Sequence, residues 1–117
     1  MRLIKPKEEE WTEKQGYSKK KFLNETELNF SGLVFQKIRL KSGEIAETHH
    51  HKKATEIFYF LNDNGYFVVN GKKIVLKKED ILVIGPFDKH KVVNNSKKEF
   101  LYLCFKYNAQ EGDFFWN

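Results

Sequence analysis

The chain has 117 residues, 40% hydrophobic and 15% aromatic, enough for one domain with its own packed core. A single cysteine, Cys104, excludes an internal disulfide framework, and its apolar setting suits a buried small hydrophobe rather than a reactive thiol. The net charge of +5 is spread over lysine pairs beside turns, which argues against a nucleic-acid surface. No apolar run nears the roughly 20 residues that cross a bilayer, and residues 1–7 lack the apolar centre of a signal peptide. The expected setting is the cytoplasm, with no membrane partner.

Residues 1–30 are charged and patchy. Residues 7–11 suit a short helical turn that Gly16 would stop. Residues 33–40 read as a strand with Val34, Ile38 and Leu40 on one face, ended by the turn Lys41-Ser42-Gly43. Residues 45–51 read as extended, and residues 56–61 are rich in β-formers. After the turn at 62–65, residues 66–69 and 73–76 flank Asn70-Gly71, a strong hairpin signal. Strands follow at 81–84, 91–93 and 99–107, parted by Gly85-Pro86 and Asn94-Asn95-Ser96. Many short strands with turns between them predict an all-β sandwich or barrel, preceded by a short irregular or helical segment.

Two clusters carry chemistry. In the first, strand alternation points His49 and His51 one way and His50 the other, leaving His50 for the surface or an interface. Glu56 lies an odd number of residues past His51, so residues 52–55 must turn or bulge before its carboxylate can rejoin the histidines. In the second, His90 follows a turn, begins a strand and shares a face with Asn94. If the sheet closes, His49, His51, Glu56 and His90 converge. Three imidazoles and a carboxylate suit Fe, Mn, Ni, Co or Zn and leave positions open on a six-coordinate ion.

These residues resemble the cupin family. The first cupin motif runs Gly, five residues, His-x-His, three or four residues, Glu, six residues, Gly. Gly43, His49, His51 and Glu56 match it, Asp63 fills the last glycine slot, and the turn glycine comes at Gly65. The second runs Gly, five residues, Pro-x-Gly, two residues, His, three residues, Asn. His90 and Asn94 match it, while its Gly, Pro and Gly slots hold Glu79, Gly85 and Phe87, with Pro86 one place late. The motifs cover 43–65 and 79–94 of a single expected domain, 1–117. The resemblance implies a double-stranded β-helix of RmlC-like jelly-roll type, a metal inside one end, and a homodimer.

Fold does not choose among cupin functions. The leading expectation is a metal-dependent enzyme on a small organic substrate, of dioxygenase type. The alternatives are a non-catalytic small-ligand-binding or sensor module, and a phosphosugar isomerase or epimerase for which Lys37 and Arg39 are the nearest cationic pair. Phe58 and Phe60 share a face with Glu56, and with Asn94 they are candidate pocket-lining residues; core packing is the plainer role for the two rings and a turn contact for Asn94. Glu47 is a candidate acid or base, with a rim position as its plainer role. No catalytic residue is otherwise marked. Trp11 and Phe114-Phe115-Trp116 are too aromatic to remain in solvent, and pack either on the barrel or on a partner subunit.

Overall fold

The computed structural model describes residues 1–8 and 10–116 and is almost entirely β. In chain order the elements are β1 (Thr12–Lys14), β2 (Tyr17–Asn24), a one-turn helix α1 (Glu25–Leu28), β3 (Val34–Leu40), β4 (Ile45–His50), β5 (Thr55–Phe60) and β6 (Tyr66–Val69). They continue as β7 (Lys72–Ile74), β8 (Ile81–Ile84), β9 (His90–Val93), β10 (Phe100–Tyr107) and β11 (Phe115–Trp116). Two antiparallel sheets form, in the orders β1-β2-β3-β10-β5-β8 and β11-β4-β9-β6-β7. This is the expected double-stranded β-helix.

Alternation decides which side chains meet between the sheets. From β3 come Gln36, Ile38 and Leu40; from β10 come Phe100, Tyr102 and Cys104; from β5 come Glu56, Phe58 and Phe60. Phe60, Phe67 and Phe100 are fully buried and interlock, with the Phe60 and Phe100 rings stacked 5.8 Å apart. The aromatic cluster fills one end of the interior, and Phe58 links it to the other, touching Phe67 at 5.1 Å and His90 at 6.5 Å.

The N-terminal region holds the expected irregular stretch before Thr12 and the short helix α1, and between them adds strands that the sequence did not mark. Residues 12–24 form a hairpin, turned at Gly16, that adds two strands to the larger sheet. Its lysines hid the strand pattern. Lys20 is buried, yet its ammonium lies 5.1 Å from the Trp11 ring, so the charge rests on an aromatic face. Gly16 is obligatory here: its φ is +86°, and a Cβ would lie 2.0 Å from the Ile45 carbonyl oxygen.

The second motif keeps its turn shape without its glycines. Glu79 and Phe87, in two of the glycine slots, have φ of +75° and +69°. Hydrogen bonds hold both: Glu79 N–H donates to the Phe60 carbonyl at 2.8 Å, and Phe87 N–H to the His51 carbonyl at 2.7 Å. A left-handed conformation costs a non-glycine residue roughly 1–2 kcal/mol, offset in part by the greater freedom of glycine in the unfolded chain. Glu79 is exposed and its side chain is replaceable. Glu79→Gly is therefore expected to stabilise the protein by about 1 kcal/mol in urea denaturation; an unchanged or lowered midpoint would show that the turn is not strained.

Candidate metal centre

His49, His51, Glu56 and His90 meet at the polar end of the interior. One ring nitrogen from each of the three histidines lies within 4.8 Å of the others. Glu56 Oε1 is 3.3 Å from His51 Nε2 and 3.3 Å from His90 Nε2. The required break between His51 and Glu56 is present: β4 ends at His50, and residues 52–54 turn the chain into β5. His49 pairs with His90 across β4 and β9.

Backbone carbonyls fix all three rings. His49 Nδ1 faces the Glu47 carbonyl at 2.8 Å, His90 Nδ1 faces the Asp88 carbonyl at 2.9 Å, and His51 Nδ1 faces the Asp113 carbonyl. A carbonyl only accepts, so each Nδ1 carries the proton and each Nε2 presents a lone pair. Glu56 Oε1 is buried with no hydrogen-bond donor directed at it. Four acceptors therefore face one another, and added protons or a cation must relieve them. Burial, followed by repulsion from His90, lowers the His49 pKa to about 4, so this ring is neutral at pH 7. For His51, burial opposes protonation but Glu56 and the Asp113 carbonyl outweigh it and raise the pKa. For Glu56, burial pushes the pKa up, but the imidazoles of His51 and His90, with Lys106, hold it well below the usual carboxylate range. Both shifts describe a proton on Nε2 of His51 or His90 held against the Glu56 carboxylate, the place that a bound cation would take. Such a donor set fits a divalent transition metal.

Other expectations are redrawn. Pairing between β4 and β9 shifts register between Ala46 and His49. That bulge reverses the alternation: Ala46 and His49 both face inward, and Glu47 is exposed with its carboxylate 3.7 Å from Lys91. Glu47 is therefore not an acid or base within the site. His50 does point away from the other histidines, but it is buried rather than exposed, stacked on Phe115 at 5.3 Å and beside Phe87 at 6.4 Å. Phe58 lines the site cavity, whereas Phe60 lies wholly in the aromatic core. Asn94 is fully buried and serves the turn: its amide donates to the Leu40 and Lys98 carbonyls, and its oxygen accepts from Ser96. Arg39 faces the outside, 4.2 Å from the Trp11 ring and paired with Glu13 and Glu99, so the Lys37/Arg39 face does not reach the cavity. Cys104 is buried, with Sγ 3.5 Å from Glu56 Oε2, and burial raises its pKa.

Sequence reasoning missed the part played by the C-terminal segment. Strand β11 pairs with β4 at His49 and His50. Phe114 stacks on His49 at 4.9 Å with ring planes 13° apart. The Asp113 carboxylate accepts from the backbone N–H groups of Lys52, Lys53 and Ala54 at 2.7, 3.0 and 3.0 Å. Partial burial would raise the Asp113 pKa, but these three donors hold it below the ordinary value. Asp113 thus shapes the turn between two site residues while its own carbonyl orients His51. No local motif marks it, because its partners lie some 60 residues away.

The cupin domain model matches residues 36–106, which contain all four convergent side chains. The chain belongs to the cupin family. A curated relative, the oxalate-binding protein of Thermotoga maritima, is 28% identical over 71 residues, 61% of this chain and 59% of that protein. The chain thus matches less than two thirds of that relative's length. Among solved structures, a protein of Photorhabdus luminescens superposes with a TM-score of 0.79 at 17% identity, covering 92% of this chain and 89% of the other. A predicted oxalate decarboxylase of Thermotoga maritima gives 0.71 at 22% identity, covering 78% and 79%. At these identities the superpositions establish the cupin fold.

Removing the Asp113 carboxylate is expected to loosen this end of the cupin barrel. Asp113→Ala leaves the 52–54 N–H groups without their acceptor, and a loss of about 1–3 kcal/mol in denaturant unfolding is expected. Asp113→Asn, whose amide oxygen still accepts, should recover part of it. Equal losses in the two variants would refute the acceptor role.

Proposed function

We propose that His49, His51, Glu56 and His90 hold one divalent transition metal, drawn from iron, manganese, nickel, cobalt and zinc. On this reading the protein is a metal-dependent enzyme for a small organic substrate, of dioxygenase type. The observation that carries it is the cavity of about 420 Å³ onto which all four side chains open. A purely structural metal sits closed among its ligands. Here the same cavity is also bordered by the exposed Lys14 and Trp116, so solvent and small molecules reach the four acceptors. When bound, the metal would supply Lewis-acid polarisation or, as iron, redox chemistry.

The chain's own residues do the rest. Phe58, Ala46 and Val92 exclude water from the inner wall. Tyr102 is buried, and burial above all, with the nearby Glu56 carboxylate, raises its pKa, so its hydroxyl stays protonated as a donor. Lys106 Nζ lies 3.8 Å from Glu56 Oε2, where it balances the carboxylate and meets an incoming anion.

A second reading, binding without turnover, takes support from the relative named for oxalate binding. Exposed Tyr59, Ile81 and Val83 on the outer face of β5 and β8 support the pairing of two copies. The buried, unpaired thiol of Cys104 suits a reducing, cytoplasmic setting.

Metal analysis separates these readings. Protein purified without added metal is expected to carry close to one equivalent of transition metal, and His51→Ala less than half of the wild-type content. Retention of more than half would sink the four-residue site. Oxygen uptake with a panel of small substrates supports the dioxygenase reading; stoichiometric binding without product supports the binding module.

A further inference from the structure

The family-matched segment supplies the four convergent side chains, but much of the cavity wall comes from elsewhere. Lys14, Tyr17 and Lys19 belong to the β1–β2 hairpin, and Phe114 and Trp116 to the C-terminal segment, all outside residues 36–106. With Gln36, Phe58 and Lys106 from the matched segment, the completed wall has two characters. One side is cationic: among the described residues, Lys14, Lys19 and Lys106 border the cavity against a single carboxylate, Glu56. The other is apolar and aromatic, formed by Phe58, Phe114 and Trp116. Between them Gln36 is buried, lines the cavity, and has a side-chain oxygen with no hydrogen-bond partner.

Each feature asks something of a ligand. Partial burial, with repulsion from Lys14, Lys21 and Lys106, lowers the Lys19 pKa, a cost that an anion among the ammonium groups would remove. An orphaned, buried amide oxygen costs free energy until a donor reaches it. A cavity of about 420 Å³ falls in the range that encloses ligands with a sizeable apolar body. Oxalate would satisfy the lysines but leave the aromatic wall and Gln36 unused.

We propose that the cavity takes a small carboxylate bearing an apolar, ring-sized body and a hydroxyl next to the carboxylate. The carboxylate lies among Lys14, Lys19 and Lys106, the hydroxyl donates to Gln36 Oε1, and the body packs on Phe58, Phe114 and Trp116. This deepens the proposed function and rests on it only for the metal beside the ligand.

The test is calorimetric binding of four probes to the protein as purified, with metal content measured on the same samples. The probes are 3-phenyllactate, 3-phenylpropionate without the hydroxyl, lactate without the ring, and oxalate. Phenyllactate is expected to bind at least tenfold more tightly than lactate or oxalate, and severalfold more tightly than phenylpropionate. Lys14→Gln and Lys19→Gln, which leave the four convergent residues untouched, should each weaken phenyllactate at least fivefold at unchanged metal content. Gln36→Leu should erase the preference for phenyllactate over phenylpropionate. Oxalate binding as tightly as phenyllactate, or lysine variants with unaltered affinity, would overturn the proposal. Metal-free protein that still shows lysine-dependent phenyllactate binding would sink the metal reading and leave the ligand class standing. Metal-loaded protein indifferent to the lysines would do the reverse.

Discussion

Everything at the polar end of this barrel answers to one buried carboxylate. Glu56 lies between the sheets with one oxygen 3.3 Å from the Nε2 atoms of both His51 and His90 and with no donor aimed at it. A carboxylate in that position is costly unless positive charge comes to it. Without a cation, the imidazoles supply it only by taking a second proton, because the first on each ring faces a backbone carbonyl. That arrangement is a cost in an empty core and an advantage around a cation. Neutral, lone-pair-bearing nitrogens held at fixed angles are what metal coordination requires, and the carbonyls act as the outer shell that orients them.

The remainder of the fold reads as support for that arrangement. The Phe60, Phe67 and Phe100 cluster fills the far end of the interior and leaves the near end to polar groups. Phe58 stands at the boundary, against the core on one side and His90 on the other. Asp113 fastens the turn between His51 and Glu56, the stretch where the chain must change direction without displacing either residue. The structure spends one segment, 113–116, on two of the three histidines: a carbonyl for His51 and a stacked ring for His49. The hairpin β1–β2 on the opposite side lends lysines to the cavity mouth and contributes none of the four convergent residues. The division between a family-defined centre and a chain-specific wall is the usual way a common barrel is given a particular ligand.

The sequence by itself determined the all-β class, the strands between 34 and 107, the choice of His49 and His51 over His50, and the need for a break before Glu56. All of these follow from period-two alternation and from turn residues, which act over a few positions. Long-range geometry had to decide the rest. The bulge between Ala46 and His49 turned Glu47 outward, because an added residue in one strand reverses parity and leaves no mark in composition. The lysine-rich hairpin was recognisable only once Trp11 and sheet pairing accounted for its buried charge. Lys106 had a legible signal, since it alternates with Tyr102 and Cys104 and pairs with Glu56 across β10 and β5. Asp113 had none. Its partners are distant in sequence, and contacts made only when both ends of the chain reach the same place are decided by the tertiary structure.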